Sequence, residues 1–225
     1  MKRKRDLIFF ISALTGIAAL LAADLLCGAA GTDAEVIRLL RLPRAVTAVM
    51  AGAALALAGT QMQSILRNPL ADPHIMGVSS GAALGAALAT MWGKAGTAAG
   101  LTTAGAAFIG ASATAVLIMA ISRRFRSADT LLIFGVMLGF IVNALISILQ
   151  FSSDGESLKT FYSWSAGSFS TTTWGQTAII GAALLVGLVL SIRAHKGLDL
   201  ILFGDEFAEM AGADTSRIRL SALMS

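Results

Sequence analysis

The stretch RLPRAVTAVMAGAALALAGTQMQSILRNPLADPHIMGVSSGAALGAAL (41–88) decides the fold of this chain. An apolar run at 45–65 is followed by a run of small apolar residues at 75–92, and the polar segment RNPLADPH (67–74) joins them. A helix needs roughly 20 apolar residues to cross a bilayer. The two prolines of the joining segment disfavour helical backbone in the residues before them. We therefore predict two membrane spans connected by a rigid turn.

Comparable apolar runs recur along the chain, which is 56% hydrophobic and only 13% charged. Soluble domains carry about 25% charged residues, so this composition indicates an integral membrane protein. We predict an all-α, polytopic membrane helix bundle that forms a single transmembrane domain over 1–225. It comprises six spans and the start of a seventh near Ile218, with the six at 7–27, 45–65, 75–92, 98–121, 130–151 and 174–192.

The distribution of Lys and Arg predicts the orientation, because these residues are enriched on the cytoplasmic side of membrane proteins. If the N-terminus is cytoplasmic, twelve of the 17 basic residues lie on that side, namely Lys2, Arg3, Lys4, Arg5, Arg67, Arg123, Arg124, Arg126, Arg193, Lys196, Arg217 and Arg219. The other five are Arg38, Arg41, Arg44, Lys94 and Lys159. We therefore predict a cytoplasmic N-terminus, a cytoplasmic loop at 194–216 and an outer loop at 151–175 that begins with a short surface helix.

Small and polar residues inside the spans predict how the helices pack. Glycines at 77, 81 and 85, and at 135 and 139, repeat every fourth residue, a pattern that lets helix backbones approach closely in lipid. Asn143 lies in the middle of the fifth span, where an amide facing hydrocarbon is costly. It faces either a water-filled pathway or a hydrogen-bond partner on another helix, and both alternatives stay open.

The sequence lacks the motifs of enzymes and nucleotide-binding proteins. It contains neither a G-x-x-x-x-G-K-[ST] loop nor an H-E-x-x-H motif, and its two histidines, His74 and His195, are far apart. Its basic residues lie at span ends without an interleaved aromatic patch. We therefore predict no catalytic residue, no metal site, no cofactor and no nucleic-acid partner.

A short amphipathic helix is predicted within LFGDEFAEMAGADTSRIRL (202–220). Gly204 can begin it, Asp205 and Glu206 suit its first turn, and Gly212 suits the left-handed position after its end. Its apolar face follows helical spacing and comprises Phe203, Phe207, Met210 and Ala211. Two turns of helix are too short to be stable alone in water. This face therefore meets either a partner protein or the bundle of its own chain.

Several motifs identify a family resemblance. R-L-P-R, an Ala/Gly-rich span that ends in Gln, R-N-P-L-A-D-P and G-V-S-S-G-A occur in order within 41–88. LLIFGVMLG (131–139), FYSWSAGSFS (161–170) and GDEFAEMAG (204–212) follow. In these motifs the chain resembles the FecCD/BtuC-type permeases, the membrane subunits of bacterial ABC importers for iron-siderophores, haem and cobalamin. Permeases of this family have about ten spans, so the resemblance implies either a sequence fragment or a truncated gene product.

The resemblance implies roles for individual residues. Arg41 and Arg44 match arginines that meet a substrate-binding protein at the outer surface. Asn68 and Leu70 match one half of a cytoplasmic gate, and the region Ser127–Asp129 corresponds to the other half. The segment that contacts the ATPase comprises Phe203, Gly204, Asp205, Glu206, Phe207, Ala208, Met210, Ala211 and Gly212. Asn143 is the pathway candidate on a different ground, its position inside the fifth span.

The expected function is that of a permease subunit in the cytoplasmic membrane, with no enzymatic activity of its own. Its partners would be ABC ATPase subunits, an extracytoplasmic substrate-binding protein, a second permease copy or homologue, and the lipid bilayer. An iron-siderophore is the expected substrate, with cobalamin and haem as alternatives. A truncated membrane scaffold without transport activity is the rival from a different class.

Overall fold

The structure is a computed structural model that describes residues 2–26, 33–92, 99–122 and 128–223, and every regular element within these ranges is helical. This confirms the predicted all-α class. In chain order the helices are α1 (Lys2–Leu26), α2 (Ala34–Val36), α3 (Leu42–Leu66), α4 (Val78–Met91), α5 (Ala99–Ser122), α6 (Ala128–Phe151), α7 (Gly155–Ser165), α8 (Trp174–Leu202), α9 (Asp205–Met210) and α10 (Thr215–Leu223).

Five of the described helical segments are long and apolar enough to span a membrane, namely Lys4–Leu26, Ala34–Leu66, Thr103–Ser122, Thr130–Phe151 and Trp174–Leu202. The span predicted at 75–92 is shorter than expected. Gly77 has φ +77° and separates α4 from a 3₁₀ turn at Pro73–Met76, which leaves α4 only 14 residues. At about 1.5 Å per residue, α4 is too short for the roughly 30 Å of the hydrocarbon core.

The sixth predicted span, at 174–192, is longer than expected, because α8 continues to Leu202. The basic residues near 193–196 suggested a loop, but Ala194, Leu198 and Ile201 are buried at helical spacing. Residues 194–202 of the predicted loop 194–216 are therefore helical. Helix α10, which follows α9, begins at Thr215, slightly before the start of the seventh span predicted near Ile218.

The chain divides into two compact units. The first comprises residues 1–53 and 168–184, and the second comprises residues 54–167 and 185–225. Helices α3 and α8 each begin in the first unit and end in the second.

A proline shapes the first unit. Pro43 has no N–H to donate to the carbonyl of Leu39, and its ring would crowd that carbonyl in a regular helix. The backbone instead forms a wider π-helical turn at Ile37–Arg41, in which the Leu42 N–H donates to the Ile37 carbonyl. Just beyond the proline, a buried hydrogen bond of 2.8 Å between the hydroxyls of Thr47 and Thr177 joins α3 to α8.

Glycines bring helix backbones together in the second unit. A Cβ atom on Gly81 would overlap the side chain of Thr114, and one on Gly85 would overlap the carbonyl oxygen of Ala106. A Cβ on Gly110 of α5 would in turn overlap the Gly81 carbonyl. The predicted close packing around Gly81 and Gly85 is thus confirmed, and it lies between α4 and α5.

The surface helix expected in the outer loop is α7. The Asp154 carboxylate caps it by accepting the N–H groups of Glu156 at 3.0 Å and Ser157 at 2.8 Å. The backbone bond from Ser157 is the main reason that the pKa of Asp154 is lowered. Phe161 is buried and packs in a cluster with Ala86 and Ala87 of α4, so α7 lies against that helix.

The glycine contacts predict the effect of two matched substitutions on α5. Gly110→Ala should destabilise the protein by about 1–3 kcal/mol, because the added methyl group forces α4 and α5 apart. Gly105→Ala is the control, since a Cβ at Gly105 would have nothing within 4 Å. Thermal unfolding of the purified proteins in detergent measures the difference. Equal melting temperatures for the two variants would show that α4 and α5 do not pack as described.

Candidate functional sites

Glycine conformations set both ends of α9 in the second unit. Gly204 precedes the helix with φ +113° and ψ +152°, a conformation that is essentially restricted to glycine. After the helix, Gly212 has φ +81°, and its N–H donates to the backbone carbonyl of Glu209 at 2.9 Å. The Ala213 N–H donates to the Ala208 carbonyl, also at 2.9 Å, which completes a Schellman motif. The predicted start and end of this helix are therefore confirmed.

The two sides of α9 differ in exposure. Ala208 is fully buried against the chain, whereas Phe203 is 75% exposed, Phe207 48% and Met210 81%. The rings of Phe203 and Phe207 lie 5.6 Å apart and form one apolar surface. We call Phe203, Phe207 and Met210 the α9 apolar surface. Among the described residues nothing covers this surface, and whether it meets a partner protein or the bundle of its own chain stays a prediction.

A shared carboxylate holds the start of α9. Asp205 Oδ2 lies 2.7 Å from the guanidinium of Arg219 on α10 and 3.7 Å from that of Arg67, which follows α3. The Arg219 side chain is only 3% exposed, whereas that of Arg67 is 40% exposed. Buried arginines are rare unless they are paired, so Asp205 compensates the charge of Arg219. The sequence places Asp205 in the first turn of the helix, and the family resemblance places it in the segment that contacts the ATPase, but neither indicates the ion pairs.

Arg219 was missed as a site residue. Its signal lies in the pattern of α10, where Thr215, Arg219 and Ala222 are all buried and share a face. A threonine and an alanine at helical spacing from an arginine are compatible with burial of its charge, which then needs an acid. The sequence does not show which acid supplies it.

The predicted turn at 67–74 is confirmed. The Asn68 side chain accepts the N–H of Leu70 at 2.9 Å, and the Asn68 carbonyl accepts the N–H of Ala71 at 3.0 Å. The Asp72 side chain accepts the N–H of His74 at 2.7 Å. Leu70 is 85% exposed while Ala71 is buried.

The gate role of Asn68 and Leu70 stays a prediction. Of the other predicted half of the gate, Ser127–Asp129, Ser127 and the side chains of Ala128 and Asp129 lie outside the described residues.

In the first unit, the two arginines of R-L-P-R have partners within the chain. Arg41 is 6% exposed and donates to the Leu25 carbonyl at 2.8 Å. Arg44 forms an ion pair with Asp24 and keeps 39% of its side chain exposed. Docking of a binding protein by both residues stays a prediction, and Arg44 is the more accessible of the two. Asp24 was missed as a partner because an ion pair across 20 residues leaves no periodic pattern.

A shallow open cavity of about 490 Å³ also lies in the first unit. Its lining includes Glu35, Arg38 and Trp174. The indole Nε1–H of Trp174 donates to the Arg38 carbonyl at 3.1 Å, which fixes the start of α8 beside the π-helical turn.

Asn143 is exposed on α6 in the second unit. Its carbonyl accepts the hydroxyl of Ser147 at 3.0 Å within the same helix. Phe140 on the same helix is 63% exposed. The pathway role of Asn143 stays a prediction.

Comparisons with known proteins agree with these features. The chain matches the model of the FecCD transport family over residues 7–225. It is 34% identical over 188 residues to the hemin transport system permease protein HmuU of Yersinia pestis, which covers 82% of this chain and 56% of that protein. It is also 34% identical over 186 residues to the molybdate import system permease protein MolB of Haemophilus influenzae. That alignment covers 82% of this chain and 55% of MolB.

A third relative is the vitamin B12 import system permease protein BtuC of Salmonella paratyphi A, which is 34% identical over 173 residues, 77% of this chain and 52% of that protein. The chain thus spans about half the length of the curated relatives it matches. A solved ABC transporter in an inward-facing conformation, ascribed to the metal-chelate type, matches with a TM-score of 0.80 at 31% identity. That match covers 94% of this chain and 71% of the other and confirms the polytopic helical fold.

The shared carboxylate predicts a difference between two neighbouring acids. Asp205→Asn should destabilise the contact of α9 with α10 by about 2 kcal/mol, less than the 3–5 kcal/mol of a fully buried pair because Asp205 is partly exposed. Trypsin cleavage after the exposed Arg217 should then be at least about tenfold faster, since cleavage follows the open population. Glu206→Gln, which removes a charge from an exposed side chain, is the control. Equal cleavage rates in the two variants would contradict the assigned role of Asp205.

Proposed function

The chain belongs to the FecCD transport family, and we propose that it forms the membrane-spanning permease part of a binding-protein-dependent ABC importer. The exposed α9 apolar surface carries this proposal. A six-residue helix whose opposite side is fixed to its own chain is suited to present such a surface to another protein. The relatives HmuU, MolB and BtuC are each described as permeases of transport or import systems, which supports the same function.

The partner at α9 is an ATPase subunit of the importer. An amphipathic helix commonly binds by placing its apolar face in a hydrophobic groove. Phe203, Phe207 and Met210 supply the apolar contacts, while Asp205 faces the chain itself. ATP-driven closure of two ATPase subunits would then move α9 and drive alternating access, without any covalent chemistry in this chain.

The proposal also includes a location, a second permease subunit and roles for the other predicted site residues. The protein would be a multi-pass protein of the inner membrane with a cytoplasmic N-terminus, paired with a second permease copy or homologue. Asn68 and Leu70 would close the cytoplasmic end of the pathway, and Asn143 would line it. A substrate-binding protein would dock at the outer surface, where Arg44 keeps part of its charge accessible.

The proposed substrate is an iron chelate of the siderophore type. The similarity to a transporter ascribed to the metal-chelate type and to a hemin permease supports a large iron-containing ligand. Other relatives are named for vitamin B12 and molybdate, so these compounds are the competing substrates.

The α9 apolar surface predicts a specific loss of assembly. Phe207→Asp should abolish co-purification of the ATPase subunit and substrate-dependent ATP hydrolysis, because a carboxylate in an apolar groove is costly. Phe169→Asp is the control, since Phe169 has a similar exposure of 42% and lies in the loop predicted on the opposite side. Normal ATPase assembly with Phe207→Asp would refute the proposal.

Docking at the outer surface predicts a charge effect at Arg44. Arg44→Glu should weaken binding of the substrate-binding protein about tenfold or more, since charges at a rim steer docking and fix its orientation. Arg38→Glu, the same change at an exposed neighbour outside the proposed contact, should have little effect. Binding of the substrate-binding protein to immobilised permease gives both affinities. An unchanged affinity for Arg44→Glu would contradict the docking role of Arg44.

The substrate is tested by uptake into proteoliposomes that contain the full importer. Radiolabelled ferric siderophore should accumulate in an ATP-dependent manner, whereas labelled haemin, cobalamin and molybdate should not. Selective uptake of one of the latter three would replace the iron-siderophore as substrate. Absence of any uptake with an assembled ATPase would favour a scaffold without transport activity.

A further inference from the structure

We propose that Arg67 and Asp205 form a mechanical link that passes movements of α9 to the turn at 68–71. This inference rests on the proposed function, in which α9 meets the ATPase and Asn68 and Leu70 close the pathway. It adds a positioning role for Arg67, a residue that contacts neither the ATPase surface nor the substrate in that proposal.

The backbone of Arg67 is fixed by the end of α3. Arg67 has φ +48°, a left-handed conformation that is unfavourable for residues with a Cβ atom and persists only where its surroundings hold it. Its N–H donates to the Ser64 carbonyl at 3.3 Å, and the N–H of Asn68 donates to the Gln63 carbonyl at 3.1 Å. The direction in which the Arg67 side chain leaves the helix is therefore set by α3.

The Arg67 guanidinium lies against the first residues of α9. Its Nη2 atom is 3.7 Å from Asp205 Oδ2, and a Cβ atom on Gly204 would lie 3.6 Å from its Nη1 atom. A Cβ atom at that distance would be in ordinary van der Waals contact with the guanidinium, so Arg67 lies directly beside the start of α9. A shift of α9 toward α3 would press directly on Arg67.

Asp205 has two partners of unequal strength. Its contact with the buried Arg219 is a hydrogen-bonded ion pair of 2.7 Å, whereas the contact with the half-exposed Arg67 is longer. Charge-assisted hydrogen bonds are strongest at such short distances. The Asp205–Arg219 pair therefore joins α9 to α10, and the Asp205–Arg67 contact joins α9 to the end of α3.

The turn beyond Arg67 transmits movement because it is internally bonded. Asn68 follows Arg67 directly. Its side-chain oxygen accepts a hydrogen bond from the Leu70 N–H, and its backbone carbonyl accepts one from the Ala71 N–H. Ala71 is buried in the same apolar cluster as Met76 and Leu131, which fixes the far end of the turn. A displacement of Arg67, together with the end of α3, thus moves the bonded residues Asn68 and Leu70 as one piece relative to the buried Ala71.

The test measures the response of the turn to nucleotide in the assembled transporter. Leu70→Cys on a Cys27→Ser background is labelled with a hydrophilic maleimide, first without nucleotide and then with ATP and vanadate. The ratio of the two labelling rates reports whether closure of the ATPase reaches residue 70. With Arg67 present we expect a ratio of about five or more, the range of moderate coupling between sites.

Replacing Arg67 should remove the nucleotide-dependent change in the labelling rate, while the ATPase should stay bound. Arg67→Gln should bring the ratio close to one while the ATPase still co-purifies and hydrolyses ATP, and Arg67→Lys should restore part of the response. Arg217→Gln is the matched control, because Arg217 pairs with Asp214 in its own turn and is 87% exposed. Arg67→Met gives the same test if Arg67→Gln does not accumulate.

Each outcome separates the link from the proposed function. A full response in Arg67→Gln or Arg67→Met with bound ATPase would overturn the link alone. A response lost equally in Arg217→Gln would overturn it as well, because general loss of charge would then be the cause. An unchanged labelling rate in the protein that retains Arg67 would overturn the link together with the gate role of Leu70. Retention of the ATPase by Phe207→Asp would overturn the proposed function independently.

Discussion

A helix of six residues cannot fold alone in water, so the contacts that hold α9 to the rest of the chain are the interactions on which its exposed surface depends. Gly204 and Gly212 turn the chain at its two ends, the fully buried Ala208 fixes its inner side, and Asp205 binds the buried Arg219 of α10. These contacts use only one side of the helix. The opposite side carries the bulky apolar residues of the α9 apolar surface, which these contacts do not use, and this exposure is what the proposed contact with an ATPase requires.

The bilayer imposes the second constraint. Lipid provides no hydrophobic driving force between helices, so close backbone contact has to hold α4 and α5 together. Gly81, Gly85 and Gly110 provide that contact. Two ion pairs join different segments of the chain, namely Arg44 with Asp24 and Arg67 with Asp205.

Much of this fold could be predicted from the sequence, because apolar runs and turn residues are local signals. The turn at 67–74, the surface helix α7 and both ends of α9 follow from residues within a few positions of one another. Two predicted span boundaries were wrong for physical reasons. Gly77 interrupts the run at 75–92 with a left-handed conformation, so α4 is shorter than predicted. At the end of α8 charged residues alternate with buried apolar ones, so the apolar run ends before the helix does.

The candidate site was predictable only in part. Phe203, Phe207 and Met210 were found because they share a face of one helix. Arg219, Asp24 and the link between Arg67 and Asp205 join segments that are distant in sequence, and such pairs leave no periodic signal. The burial of Arg41 was also hidden, since the motif alone does not distinguish an arginine that docks a partner from one that bonds a neighbouring carbonyl.

The most direct test of the account is the accessibility of Met210, which is 81% exposed. A hydrophilic maleimide that is added from the cytoplasmic side should label Met210→Cys, on a Cys27→Ser background, rapidly in membranes that lack the ATPase. In membranes that contain the assembled ATPase, labelling should be strongly protected. Equal labelling with and without the ATPase, or labelling only from the outer side, would contradict the claim that α9 is the surface on which the ATPase acts.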